Sequence, residues 1–206
     1  MLIVITGPSG CGKSTLANRM LAELENVAFS VSCTTRKKRH TEIEGKDYFF
    51  VSTDQFERMI QDEKFVEWAM VHGNYYGTSK SELEKKATDG DLLLDIDVQG
   101  AGQIKEKHME ATFVFILPPL FPELRKRLEK RGQDSLPIIQ KRLEVAREEI
   151  KHYREFDYIV INDELGKAAK ELKSVILSQR CRRESREKEI IPILRSFAPG
   201  GIKREP

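Results

Sequence analysis

Residues 7–14 read GPSGCGKS and match the spacing GxxxxGK[ST], directly after the apolar run LIVIT and directly before a stretch with helical spacing. Gly7, Gly10 and Gly12 carry no side chain, so backbone N–H groups there can approach phosphate oxygens, and the positive end of the following helix faces the same anion. Pro8, Ser9 and Cys11 complete the loop; Cys11 reads as a small filler, although a thiol at a helix N-terminus can gain reactivity. Lys13 is a mobile charge for the β- and γ-phosphates and the Ser14 hydroxyl suits Mg²⁺, while Thr15 reads as the start of the helix. Such a phosphate-binding loop implies a nucleoside triphosphate and leaves a GTPase, an ATPase motor and a small-molecule kinase open.

Three further groups could act beside that loop. Arg36 and Arg39, three residues apart and followed by Tyr48, could converge on one phosphate, because a guanidinium meets phosphate oxygens with two parallel N–H bonds. A basic run such as RKKRH is by itself more often a solvated loop. Asp95 and Asp97 stand at the C-terminal end of LLLDID, where open α/β sheets bind ligands, and alternation sends both to one face. One of them can orient Mg²⁺ through water and the other contact the acceptor; Asp95 is set on the metal and catalytic side, with the division left open. Arg127, Arg131 and Arg142 flank the polar segment Gly132 to Ser135, which reads as a mobile lid. Cations there would stabilise charge on a transferring phosphoryl group, with Arg131 and Arg142 ahead of Arg127.

The elements that must hold these residues are visible as apolar runs at 2–6, 92–96, 113–117 and 158–162, each expected as a strand buried on both faces. Helical spacing over Ser14 to Leu24, Pro122 to Arg131, Ile138 to Tyr153 and Leu165 to Gln179 alternates with them. An α/β fold with a parallel sheet flanked by helices follows. Residues 32–79 break the rhythm with the short pieces DYFFVS, FVEWAMV and GNYYGTS, expected as antiparallel strands of an insertion at the edge of the site, in which Phe65 and Trp68 pack the small unit. The single domain therefore divides into a core (1–31, 80–131 and 141–180), the insertion, a helical lid (132–140) and a frayed helix with a loose tail (181–206).

Lys and Arg number 35 against 33 Asp and Glu, giving a net charge of +2, so nothing global indicates nucleic acid or a membrane. Three cysteines at irregular spacing fit neither a disulfide framework nor a zinc site and suggest a reducing cytoplasm. The apolar stretch at the start is too short for a signal peptide or a membrane span.

Residues 30–50, 65–80 and 92–100, together with RLEKRG (127–132), RLEVAREE (142–149) and YIVINDE (158–164), resemble guanylate kinases, and the likeness covers nearly all of residues 1–180. The resemblance implies transfer of the γ-phosphoryl group of ATP to GMP, and dGMP, with Mg²⁺ as cofactor and without a covalent intermediate. It implies that Ser32, Glu67, Thr78 and an aspartate of the LDID segment recognise guanine, and that Arg36, Arg39, Tyr48 and Tyr76 clamp the GMP phosphate, with Glu42 a further candidate. Arg127, Arg131 and Arg142 resemble lid arginines, and Asn162 a contact to adenine or its surroundings. Glu67 can accept the N1–H and N2–H₂ donors of guanine, whereas adenine would set an unprotonated N1 against it. Sites built on buried hydrogen bonds can reject an unmatched ligand by about 10⁴.

Two positions depart from the family pattern: Lys38 stands where proline is usual and Thr41 where glycine is. Three rival readings remain: a kinase of ribose 1,5-bisphosphate, which would make no use of Glu67; a guanylate-kinase-like scaffold, opposed by Lys13, Ser14 and the lid arginines; and a nucleic-acid binder, favoured by charge alone. A homo-oligomeric assembly is left open.

Overall fold

The computed structural model describes residues 1–86, 90–130, 132 and 135–197. Five strands form a parallel sheet: β1 (Leu2–Thr6), β2 (Val27–Phe29), β7 (Asp91–Asp95), β8 (Ala111–Leu117) and β9 (Tyr158–Ile161), in the order β2-β7-β1-β8-β9. The central strand shows why an unbroken apolar run is needed. Ile3 and Ile5 face a core completed by Leu16, Met20, Leu172 and Ile176, while Val4 faces the other side with Leu92, Leu94, Ile104 and Phe113. Helices α1 (Lys13–Glu23) and α7 (Leu165–Arg180) supply the first layer, and α4 (Val98–Glu106) lies in the second. The chain crosses from β1 towards β2 and β7 on one side and later to β8 on the other, so the C-terminal end of β1 is the switch point where such sheets bind ligands.

A second sheet is made by β3 (Cys33–Thr34), β4 (Phe49–Phe50), β5 (Phe65–Val71) and β6 (Asn74–Ser79) in the order β4-β3-β6-β5. Three of the pieces expected as antiparallel strands appear here, but β4 runs parallel to β3, so the sheet is mixed. Helix α2 (Thr53–Gln61), absent from the expected elements although Phe56, Met59 and Ile60 stand at helical spacing, closes one face. Ser52 and Gln55 form a reciprocal capping box at its start, and Phe56 stacks against Phe65 and Tyr75 at ring separations of 4.3 and 5.1 Å. Phe65 is buried as expected, whereas Trp68 is 36% exposed and meets Tyr75 at its edge.

Two hydrogen bonds tie this sheet to the main body. Gln103 of α4 accepts from the Trp68 N–H at 3.1 Å and donates to the Trp68 carbonyl at 2.6 Å. Helix α3 (Lys80–Lys86) leads back from β6 to the main sheet. Helices α5 (Phe121–Lys130) and α6 (Leu136–Glu149) pack on each other through Leu124, Leu128, Ile139 and Leu143, and a 3₁₀ turn (Ile150–Glu155) follows. Where a frayed helix was expected ahead of a loose tail, helix α8 (Arg183–Ser196) stands and buries none of its residues; positions 198–206 lie outside the described residues. Among the described residues, no helix is long and apolar enough to cross a membrane.

Candidate active site

The loop 7–12 is shaped as much by its protein surroundings as by any anion. A Cβ on Gly7 (φ +145°) would lie 2.1 Å from the Ile116 carbonyl oxygen, and one on Gly12 (φ +99°) would lie 2.3 Å from the Asn162 amide nitrogen. That nitrogen donates to the Cys11 carbonyl at 2.7 Å, and Asn162 is 5% exposed. Asn162 therefore braces the loop from β9 as well as lining a second, shallower cleft with Thr15, Arg127 and Leu165. Cys11 points into the core, where burial pushes its thiol up and away from reactivity.

Beyond the loop, Lys13 donates from Nζ to the Gly7 carbonyl at 2.6 Å and stands 4.0 Å from Asp95 Oδ1. Burial opposes its charge, but Cys11, Asp95 and Glu149 outweigh burial and raise its pKa. Ser14 Oγ donates to Asp95 Oδ2 at 2.9 Å. Asp95 ends β7 opposite Ile5 of β1, which sets its carboxylate beside the loop. Burial raises its pKa against the pull of Lys13 and Ser14. One carboxylate and one hydroxyl side by side are hard oxygen donors of the kind Mg²⁺ takes when phosphates and water supply its remaining ligands. Asp97, which lines the same cleft, also caps α4, its Oδ1 accepting from the Gly100 N–H at 2.8 Å.

Across an open cleft from this loop lie Ser32, Arg36, Arg39, Tyr48, Glu67 and Tyr76. Arg36 donates from Nη2 and Nη1 to the two oxygens of Glu42 at 2.7 and 3.0 Å, and from Nε to the Tyr76 hydroxyl at 3.2 Å. Glu42 also accepts from the Arg39 N–H at 2.8 Å and approaches its guanidinium at 3.6 Å, so it stands behind the two arginines and orients them. Lys38 and Thr41 are exposed beside this network. Thr41 is not among the described non-glycine residues with positive φ, so the missing glycine leaves no strain there. Burial, with Asp95 next, lifts the Tyr48 phenol to about 12, so it stays a neutral hydrogen-bonding group.

Glu67 is 3% exposed; its Oε1 accepts the Thr78 N–H at 2.8 Å, and burial pushes its pKa up to about 7, with Asp97 adding to the rise. The Thr78 hydroxyl is buried beside it, and its side chain, with the backbone N–H, opposes part of that rise.

From α6, Arg142 and Glu149 line the same cleft. Glu149 was not suggested by any motif. It lies seven residues after Arg142, two helical turns on and hence on the same face, which is the one signal that could have found it. Burial raises its pKa and Lys13 pulls it back, so it is part of the field around the P-loop lysine. Arg131 lies outside the described residues. Fifteen of the candidate positions thus meet at one cleft: Gly7, Ser9, Gly10, Gly12, Lys13 and Ser14 from the loop, the six opposite it, and Asp95, Asp97 and Arg142.

The sequence pattern of the guanylate kinase family matches residues 1–179. A guanylate kinase of Geobacter sulfurreducens is 49% identical over 183 residues, covering 88% of this chain and 90% of that protein. One from Rhizobium meliloti is 44% identical over 208 residues, covering the whole of this chain and 93% of that protein. The crystal structure of guanylate kinase from Anaplasma phagocytophilum superposes with a TM-score of 0.72 at 32% identity, over 89% of this chain and 87% of that one. On sequence and on fold alike, the chain belongs to the guanylate kinase family.

Proposed function

We propose that the protein transfers the γ-phosphoryl group of ATP to GMP, and to dGMP as a second acceptor, producing ADP and GDP or dGDP for purine nucleotide metabolism. The observation that carries this reading is the single cleft with a phosphate-binding loop on one wall and, on the other, two arginines beside a buried carboxylate. ATP lies with its phosphates in the loop 7–14 and its base in the second cleft beside Asn162 and Arg127. GMP sets its phosphate against Arg36, Arg39, Tyr48 and Tyr76 and its guanine edge against Glu67, Ser32 and Thr78.

Chemistry in this cleft is positioning and charge stabilisation. An oxygen of the GMP phosphate attacks the γ-phosphorus in line, and Lys13 and Arg142, with Arg131 from the lid, hold the charge that spreads over the equatorial oxygens. Ser14 and Asp95 would hold Mg²⁺, which when bound neutralises charge on the phosphate oxygens. Asp97 keeps α4 and the acceptor wall in register. In this reading segment 32–79 is the GMP-binding unit, 132–140 the lid, the remainder to 180 the core, and 181–206 a tail outside the chemistry. Free thiols at Cys11, Cys33 and Cys181 favour the cytoplasm, and near-balanced charge favours small-molecule substrates over nucleic acid or membranes.

The test is ADP formation from Mg²⁺-ATP with GMP, dGMP, AMP, CMP, UMP and ribose 1,5-bisphosphate offered separately. Fast turnover with GMP and dGMP alone is expected. Turnover only with the base-free bisphosphate would refute the acceptor assignment, and none with any acceptor would refute the enzymatic reading.

A further inference from the structure

Helix α4 holds two glycines, Gly100 and Gly102, within nine residues. A glycine in a helix interior costs about 1 kcal/mol relative to alanine, so each position invites a physical reason. For Gly102 the surroundings offer none: a Cβ there would meet nothing within 4 Å. For Gly100 they do. A Cβ would lie 2.3 Å from Glu67 Oε2 and 3.1 Å from its carboxyl carbon. The same Cβ would be in ordinary contact with Asp97 Oδ1 at 3.4 Å, so the cap that starts α4 would survive the substitution.

Glu67 is poorly placed to yield. Its Oε1 is fixed by the Thr78 N–H, its side chain is almost wholly buried, and its neighbour Trp68 is held to Gln103 of the same helix by two hydrogen bonds. Helix and strand therefore cannot separate without breaking those bonds, and the carboxylate itself has to swing away. The Gly100 N–H is committed to Asp97, so what Gly100 contributes to Glu67 is the absence of a side chain.

We infer that Gly100 is a positioning residue for acceptor specificity: its bare Cα at the start of α4 provides the space that keeps the Glu67 carboxylate aimed into the acceptor cleft. The inference rests on the reading of Glu67 as the group that distinguishes guanine from adenine, and the test separates the two.

Wild type, Gly100→Ala, Gly102→Ala and Glu67→Gln are compared for kcat and KM with GMP, for the GMP-to-AMP ratio of kcat/KM, and for Mg²⁺-ATP affinity. Gly102→Ala should match wild type within about twofold. Gly100→Ala should raise KM for GMP and lower the GMP-to-AMP ratio by about tenfold or more, with ATP affinity within about twofold of wild type. A Gly100→Ala enzyme indistinguishable from Gly102→Ala, while Glu67→Gln loses discrimination, overturns the role of Gly100 alone. Discrimination kept by Glu67→Gln overturns the reading of Glu67 beneath it. Thermal melts of Gly100→Ala in wild-type and Glu67→Ala backgrounds keep the claim testable should the single variant fold poorly. The alanine should lower the midpoint only where Glu67 is present, and an equal loss in both backgrounds refutes the clash.

Discussion

Replacing Glu67 by glutamine should make the protein more stable at alkaline pH while impairing its choice of acceptor. Burial moves this carboxyl from its ordinary 4.5 to about 7. The folded state therefore binds the proton more tightly than the unfolded chain does. Stability from this group is full below pH 4.5, declines as pH rises towards 7, and above 7 the ionised carboxylate costs about 3 kcal/mol, an upper bound on the order of magnitude. Glutamine keeps an oxygen for the Thr78 N–H and carries no charge. Urea unfolding at pH 8 should show Glu67→Gln more stable by up to about 3 kcal/mol, roughly 6–12 °C in Tm for a chain of this size. At pH 4.5 the difference should have nearly vanished. In parallel, the GMP-to-AMP ratio of kcat/KM should fall by at least about tenfold, because an amide offers one acceptor where guanine presents two neighbouring donors. A stability gain equal at both pH values, or a loss at pH 8, would refute the reasoning from burial.

Three other outcomes follow from the geometry. Arg36→Lys gives up the paired bonds to Glu42 and the bond to Tyr76, so KM for GMP should rise by about tenfold or more in steady-state kinetics while KM for ATP stays near wild type. Asn162→Ala strands the buried Cys11 carbonyl and should lower unfolding free energy by about 1–3 kcal/mol in urea titration, together with weaker ATP binding; weaker binding without lost stability would contradict the bracing role. Asp95→Asn removes the charge facing Ser14 and Lys13, and the Mg²⁺ concentration giving half-maximal rate should rise by about tenfold or more in a metal titration, with ATP binding in EDTA not weakened.

The main sheet is legible in the sequence because parallel strands are buried on both faces, and Leu2–Thr6, Asp91–Asp95, Ala111–Leu117 and Tyr158–Ile161 read as unbroken apolar runs. Val27–Phe29 is too short to stand out, and α4 is concealed by its two glycines and its start directly on the strand that precedes it. Helix α2 was legible and missed: Phe56, Met59 and Ile60 stand at helical spacing behind the Ser52 and Gln55 capping box, but the strand-like pieces on either side draw the reading towards β structure. At the site, the loop 7–14 and the two arginines announce themselves through spacing and residue type. Glu42, six and three residues from Arg36 and Arg39, and Asn162 enter through the family resemblance, which gives no hint that they stand behind the two arginines and behind the loop, and Gly100 acts through an absent side chain, which leaves no local pattern. Glu149 belongs with them, since only its register with Arg142 on α6 links it to the cleft.

The most direct test follows labelled phosphate from [γ-³²P]ATP in the presence of GMP, with Lys13→Met as the control for the phosphate-binding loop. The account predicts label in the β-phosphate of GDP at a rate that accounts for all ADP formed, abolished in the variant and not replaced by free phosphate. Label released as inorganic phosphate, or GDP left unlabelled, would contradict it.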